Sequence, residues 1–308
     1  MEVIRHIESY RRFPHPIVSL GNFDGVHLGH RAILTKAVDE ARALCGTALV
    51  LTFHPHPLTI LRPDTPLPLI FSLREKLLLL RSLEVQGVIL QRFSSSFSQL
   101  TAEEFVRRYL VDLIGVKKVI VGHNVSFGYR RSGNAEVLVQ LGQQLGFAVE
   151  VIGPVVIEGK EVSSTAVRTL LGIGNMREVT TLLGCPYSVS GRVEKGFQRG
   201  RTIGFPTANL RPRKDLLLPN GVYAVTVDVD AQTTVQGVAN VGMNPTFSNN
   251  RRTIEAHLFD FSADLYGKRL RVNFIEHLRE ERKFPSVPDL VRQIQADAVH
   301  ARAVLTSQ

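Results

Sequence analysis

The sequence predicts two folds in series: an α/β half built on a parallel sheet, then an antiparallel all-β half that closes as a small barrel. Three observations carry this. Apolar strand-like runs alternate with helical patterns as far as Gly184. Beyond Gly184-Cys185-Pro186 the apolar residues recur with period two and turn residues separate the runs. The chain has 308 residues, enough for two domains of about 150 residues each, and either one can bury its own core. The expected domains are therefore residues 1–184 and 185–308.

The elements of the first half follow in order. Ile17 to Leu20 is a short apolar strand. Arg31 to Leu44 places Ile33, Leu34, Ala37, Val38, Ala41 and Leu44 on one helical face. Thr47 to Phe53 is a strand, Ser72 to Leu83 a helix, and Val88 to Gln91 a strand. Thr101 and Glu104 stand three apart as a capping box opening a helix to about Asp112. Lys118 to Val121 is a strand. Asn134 caps a helix that runs to about Gln144 and stops at Gly146. Phe147 to Ile152 is the next strand, and two short helices, Thr165 to Leu171 and Met176 to Leu183, close the half. In the second half the strands are Tyr187 to Val193, Val222 to Val229, Thr234 to Val241, Thr253 to Leu258 and Arg269 to Ile275. Pro219-Asn220-Gly221 and Asn249-Asn250 supply turns, and Leu290 to Leu305 is a final amphipathic helix after Ser286-Val287-Pro288.

Composition excludes several classes. Apolar residues are 44% and charged residues 21%, ordinary globular usage, which rules out collagen-like, low-complexity and disordered chains. Aliphatic runs such as Leu77 to Leu80 fall far short of the roughly 20 residues of a spanning helix. The opening MEVIRHIESYRRFPHP is charged throughout, so no signal peptide is expected. The two cysteines, Cys45 and Cys185, have neither a disulfide framework nor a metal spacing, which suits a reducing cytoplasm. The net charge of +9 is spread evenly: +4 through Gly184 and +5 beyond it. That spread suits a phosphate pocket in each half better than one nucleic-acid stripe, and equally suits a generally basic surface.

The segment Gly21-Asn22-Phe23-Asp24-Gly25-Val26-His27-Leu28-Gly29-His30 follows a strand and opens a helix. An α/β sheet binds phosphate at such a place, where free helix N–H groups and the positive dipole end face the ligand. Gly21 and Gly25 permit a tight turn, and Gly29 lets a ligand approach the backbone. His27 and His30, three apart, can face one anion from the first helical turn. A bare His-x-x-His also arises by chance or as a metal pair, but no Cys or acidic cluster nearby offers a third ligand. Ser163-Ser164-Thr165-Ala166-Val167-Arg168 is a second candidate anion clamp, with hydroxyls at a helix start and a guanidinium one turn in; an ordinary cap beside a surface arginine has the same look. In the second half, Gly196, Gly200 and Gly204 recur every fourth residue with Arg199 and Arg201 between them, suiting a loop folded over phosphates. It lacks the Walker order and no helical pattern follows it, so it does not read as a P-loop.

With these residues in view, the chain resembles the bacterial bifunctional riboflavin kinase/FMN adenylyltransferase family, also called FAD synthetases. Residues Gly21 to His30 resemble the HxGH nucleotidylyltransferase motif in its flavin-family form, and Ser163 to Arg168 the second, phosphate-binding motif of that superfamily. Segments Thr52 to Pro57, Thr101 to Val106 and Val121 to Gly128 match further family stretches. Gly204-Phe205-Pro206-Thr207-Ala208-Asn209 matches the riboflavin kinase signature, and Asn220 to Tyr223, Gly237 to Gly242, Asn244 to Phe247, Glu255 to Phe261 and Asp264 to Gly267 follow in order. The resemblance spans about Ile17 to Ala303. It departs from the family pattern at Asn124, where many members have Asp, and at His54, where they have Glu.

The resemblance implies a Rossmann-like nucleotidylyltransferase domain and a six-stranded antiparallel β-barrel with a C-terminal helix. It implies ATP, riboflavin, FMN and FAD as substrates and products, with Mg²⁺. Gly21, Phe23, Asp24, Gly25, His27, Gly29 and His30 would hold ATP at the adenylyltransferase site, Ser164, Thr165 and Arg168 its β- and γ-phosphates, and Asn124 and Phe127 would lie near the flavin. Gly196, Gly200, Arg201, Gly204, Phe205, Pro206, Thr207 and Asn209 would bind ATP and flavin at the kinase site, with Thr207 and Asn209 on Mg²⁺ and Glu255 as general base. It also implies a cytoplasmic enzyme, monomeric or weakly self-associating, with no nucleic-acid or membrane partner. A flavin carrier or a basic RNA-binding regulator is the alternative. A carrier needs no pair of triphosphate sites, and an RNA binder needs a concentrated basic face or exposed stacking aromatics.

Overall fold

A computed structural model describes residues 1–5, 7, 13–65, 67–195, 199–212, 214–243 and 252–307, with the Arg199 side chain left aside. The expected turn at Asn249-Asn250, Gly196 and the Asn244 to Phe247 match lie outside these residues. The chain divides into two units. One holds Met1–Leu67 and Leu73–Ser163, the other Pro68–Ser72 and Ser164–Gln308.

The first unit is a six-stranded parallel sheet. Its strands are β1 (Glu2–Ile4), β2 (Pro16–Leu20), β3 (Thr47–His54), β4 (Gly87–Arg92), β5 (Lys118–Gly122) and β6 (Ala148–Ile152), in spatial order β1-β4-β3-β2-β5-β6. Alternate residues of each strand feed different cores, as a sheet covered on both faces requires. Ile17, Ala48, Val50, Val88 and Ile120 meet Leu34, Ala37 and Ala41 of α1 (Leu28–Ala43) and Leu80 of α3 (Leu73–Ser82). Val18, Leu20, Leu49, Leu51 and Val121 meet Phe105, Tyr109 and Leu110 of α4 (Ala102–Phe105, continued over Val106–Ile114) and Leu138 and Leu141 of α5 (Ala135–Leu145). Helix α4 starts as Ala102–Phe105 and widens to i→i+5 bonding over Val106–Ile114. Its capping box forms as expected: Glu104 N–H donates to Thr101 Oγ1 (3.2 Å) and Thr101 N–H to Glu104 Oε2 (2.8 Å). Asn134 caps α5 and Gly146 ends it in the left-handed conformation. Three short elements carry no strong periodicity and were not expected: β1, α2 (Pro57–Leu61) and the hairpin β7 (Val156–Ile157) with β8 (Lys160–Glu161).

The second unit opens with α6 (Ser164–Gly172) and α7 (Met176–Leu183). Strands β9 (Tyr187–Glu194), β10 (Ala208–Pro212), β11 (Gly221–Asp228), β12 (Thr234–Met243), β13 (Arg252–Leu258) and β14 (Arg269–Arg279) close a barrel in the order β10-β13-β12-β11-β14-β9. β10 is the sixth strand, hidden from periodicity because it ends in Pro212 and follows the glycine-rich segment. A one-turn helix, α8 (Arg199–Thr202), interrupts that segment where only loop was expected. Tyr223, Val225, Val241, Ile254, Val272 and Phe274 are buried. Val222, Ala224, Val238 and Ile275 form a separate cluster with Ala301, Val304 and Leu305 of α9 (Val287–Thr306). That helix starts earlier than its apolar pattern because Ser286 caps it and Pro288 fits its first turn. Within this unit Pro68–Ser72 is anchored by Phe71 stacked on Tyr187 and by Lys214 Nζ, which donates to Tyr187 Oη (3.0 Å) and to Ile70 O.

Thr101→Ala leaves the Glu104 N–H without its cap and is expected to destabilise the first unit by about 1 kcal/mol. An unchanged denaturant midpoint for loss of helical signal would contradict the role given to the cap.

Candidate functional site

Strand β2 lies at the point where the sheet order reverses: β3 continues one way from it and β5 the other. Ligands of open α/β sheets bind in the crevice beyond the strand ends there. The turn Gly21–His27 leaves β2 at that point. Gly21 N–H still donates to Leu51 O (3.2 Å), and then the chain coils tightly. Phe23 (φ 50), Gly25 (φ 90) and Val26 (φ 42) all take left-handed conformations. Phe23 and Val26 are almost wholly buried, so the turn hangs from two apolar anchors. Gly21 plays a different part from the turn-forming one expected: a Cβ there would press on the Phe23 ring at 3.1 Å. Phe23 in turn meets His30 edge-on (5.2 Å) and so acts from beneath the turn.

His27 caps α1, its Nδ1 accepting from His30 N–H (3.4 Å). The two imidazoles stack at 3.6 Å with 20° between planes, so the spacing of three does bring them to one face. A Cβ on Gly29 would lie 3.3 Å from the His27 ring, and glycine there gives the ring its room. His30 Nδ1 is buried, with no hydrogen-bond partner among the described residues. Burial first, then His27, then Lys76 hold the His30 pKa well below its usual value, so its ring is neutral at pH 7. Asp24 is buried in the turn. Asn124 follows β5, its Oδ1 close to Gly122, and Phe127 is buried against Phe105 (5.8 Å) in the core.

The sequence alone gives Lys76 no role, and Thr52 enters there only as the start of a matched segment. Lys76 Nζ donates to Asn22 O (3.0 Å) and Thr52 Oγ1 (3.2 Å), and Thr52 Oγ1 donates to Asn22 O (3.2 Å). The available signal was a lone lysine in the leucine-rich helix Leu73–Ser82. His54, at the exposed end of β3, has its pKa lowered by burial and then by Lys76 and Arg5.

The remaining candidates lie in the second unit. Ser164, Thr165 and Arg168 occupy the first turns of α6, where Arg168 Nε donates to Pro68 O (3.1 Å). On the barrel, the segment after α8 doubles back: Phe205 N–H donates to Gly200 O (2.8 Å), and a Cβ on Gly200 would collide with Phe205 O. His257 Nδ1 hydrogen-bonds Pro206 O (2.9 Å) and its ring meets Phe205 edge-on, pinning the segment to β13.

Two cavities flank this segment. One, of ≈ 320 Å³, is lined by Phe205, Thr207, Asn240 and Glu255 and by Phe284 and Ile294 from the C-terminal region. The other, of ≈ 510 Å³, is lined by Arg201, Thr207, Asn209, Phe261, Asp264 and Tyr266. Thr207 lies on both. Glu255 pairs in register with Asn209 on one side and Asn240 on the other, so the three project from the same face of the barrel. Burial first, then the Glu281 carboxylate, raise the Glu255 pKa above its ordinary value. The share of the first cavity contributed by α9 and Phe284 was not legible, because the helix reads as simple amphipathic packing. Among the described residues no group of three His, Cys, Asp or Glu could hold a metal by itself.

Comparison with known proteins follows the same division. The FAD synthetase family model matches residues 11–166 and the riboflavin kinase model residues 183–305. The bifunctional riboflavin kinase/FMN adenylyltransferase of Escherichia coli K12 is 38% identical over 304 residues, 98% of this chain and 97% of that one. Its namesake from Haemophilus influenzae is 36% identical over 308 residues, the whole of both chains. A crystal structure described as a macrolide-efflux protein of Streptococcus pneumoniae covers 96% of both chains at 34% identity, with a TM-score of 0.86. Efflux is that protein's description; no described helix here is long and apolar enough to cross a membrane. With both halves matched in order and relatives aligned end to end, the chain belongs to the bifunctional riboflavin kinase/FMN adenylyltransferase family.

Proposed function

We propose that the two family reactions are divided between two places: FMN adenylylation at the turn after β2, within residues 1–184, and riboflavin phosphorylation on the barrel, within residues 185–308. Riboflavin is converted to FMN and FMN to FAD, with ATP as donor in both steps. The observation that supports the kinase reading best is that Thr207 is shared by two cavities while Glu255 lines one of them. One cavity takes the flavin, with Glu255 beside its 5′-hydroxyl. The other takes ATP, with Phe261 and Tyr266 offering ring surface. The γ-phosphate then lies near Thr207.

A primary hydroxyl is a poor nucleophile. As its oxygen attacks the γ-phosphorus, Glu255 accepts the hydroxyl proton and ADP leaves. The raised pKa brings that carboxylate nearer to the working pH, where a base is most effective. Thr207 and Asn209 offer two neutral oxygens, which suits Mg²⁺, a cation that takes few protein ligands and fills its shell with phosphate oxygens and water. When bound there, Mg²⁺ would neutralise charge on the transferring phosphates.

Adenylylation calls for different residues. The FMN phosphate is already an anion at neutral pH and needs no base. It attacks the α-phosphorus of ATP, and pyrophosphate departs. His27, neutral His30 and the backbone N–H groups at the start of α1 donate hydrogen bonds to the phosphoryl oxygens as charge builds on them. Asn124 lies on the flavin side by resemblance. Such an enzyme works in the cytoplasm on small molecules, without a nucleic-acid or membrane partner, as a monomer or weak homo-oligomer.

Glu255→Gln keeps the shape and removes the base. It is expected to slow FMN formation by about 100-fold or more while adenylylation of supplied FMN continues, measured by separating the flavins chromatographically. Equal loss of both steps would overturn the assignment. Glu255 acts deprotonated, so kinase kcat/KM falls as pH drops through its pKa; that acid limb is expected above the ordinary glutamate value of about 4.3. A limb at or below that value would contradict the buried base. Gly200→Ala forces the Phe205 carbonyl aside and is expected to cost the kinase step at least about tenfold, again sparing adenylylation.

A further inference from the structure

The triangle formed by Lys76, Thr52 and the Asn22 carbonyl is unused by either reaction as derived above. It ties three elements together: α3 through Lys76, β3 through Thr52, and the turn after β2 through Asn22. Thr52 is fully buried. Its hydroxyl proton goes to Asn22 O, so its oxygen is free to accept from Lys76. Asn22 O receives both donors. An ammonium has three N–H groups, and protein acceptors among the described residues take two of them. The Lys76 side chain is half-buried here, and holding a charge partly out of water is costly for a bare structural tie. Glutamine would come nearest to such a contact without withdrawing a charge from water.

We propose that Lys76 is a positioning residue for adenylyl transfer, whose ammonium clamps the HxGH turn from behind and supplies the fixed positive charge that draws the ATP phosphates onto it. This rests on the reading of the His27–His30 turn as the triphosphate site. The titratable groups that face Lys76 are Asp24 on the turn, His30 at the start of α1 and His54 at the end of β3; His27 stacks on His30, and Arg74 and Glu75 precede it on α3. Asp24 favours the charged amine and burial outweighs it, bringing the Lys76 pKa down to about 8. The amine is therefore mostly charged at pH 7 and loses its charge just above. A neutral amine still has two N–H groups and can keep both hydrogen bonds. Raising the pH thus removes the charge and leaves the tie, which separates an electrostatic role from a structural one.

The test measures adenylylation of supplied FMN by the full-length protein across pH 6 to 10, with riboflavin kinase activity of the same samples as an internal control. Wild type is expected to lose adenylylation kcat/KM above about pH 8. Lys76→Arg keeps a charge that does not titrate in this range, and its alkaline limb is expected to move up by at least about one unit. Lys76→Met is expected to fall at least about tenfold below wild type at pH 7 and to lose the limb, with the kinase within about twofold of wild type. Lys76→Arg with an unmoved limb, or Lys76→Met at wild-type rate, would overturn the proposal; if Lys76→Met fails to fold, Lys76→Arg alone decides. His30→Asn is run in parallel. If it leaves adenylylation intact, the reading of the turn as the triphosphate site has failed; if it is inactive while both lysine variants behave as wild type, only the lysine proposal has failed.

Discussion

Two residues that ordinarily avoid it, Phe23 and Val26, hold left-handed backbone in the turn after β2, and the first site depends on that turn. For a β-branched residue this conformation is a true outlier, and such strain costs on the order of 1–3 kcal/mol per residue. Burial offsets it, since both side chains are almost fully withdrawn from water and each such burial contributes roughly 1.5–3 kcal/mol. The result is a turn compressed enough to start α1 at His27, directly over the sheet's switch point. The His27–His30 stack, the neutrality of His30 and the triangle at Asn22 all follow from where that turn sets the chain. A looser turn would leave the same residues in the sequence and no shared face for them.

On the proposed division the two sites answer two nucleophiles. A hydroxyl must lose a proton as it attacks, and the barrel sets a carboxylate on a rigid strand between two asparagines, half withdrawn from water. A phosphate monoester has no such need, and the α/β unit offers neutral and cationic hydrogen-bond donors in place of a base. The same logic fits the barrel's cavities. Thr207 lines both cavities, the larger of them with exposed ring surface, and on the proposed reading donor and acceptor would meet at that residue from opposite sides.

Much of this could be read from the sequence because the signals were local. The Thr101–Glu104 capping box, the Asn134 cap, the Gly146 stop and the strand–turn–helix around His27 are each decided within a few residues, and each forms. What could not be read depends on partners far apart in the chain. The strand β10 is recognisable only from its pairing with β9 and β13. Lys76 looks like a surface lysine until β3 and the turn are placed around it. Gly21 reads as a turn former and Gly29 as an opening for a ligand; that they also leave room for the rings of Phe23 and His27 depends on side chains no local pattern places. Phe127, which the resemblance sets near the flavin, is buried in the α/β core against Phe105, a placement that a motif does not report. The segment Pro68–Ser72 lies between two elements of the first unit in sequence yet packs with the second, which no local pattern reports.

The central claim is that one chain holds two working sites with different chemistry. The most direct measurement is a quenched time course of the purified protein with riboflavin, ATP and magnesium, with the flavins separated at each point and a parallel course started from FMN. The expected result is FMN appearing without a lag, FAD following after one, and FAD forming at once when FMN is supplied. Riboflavin stopping at FMN while supplied FMN also stays unconverted would contradict the first site; riboflavin left untouched while FMN becomes FAD would contradict the second.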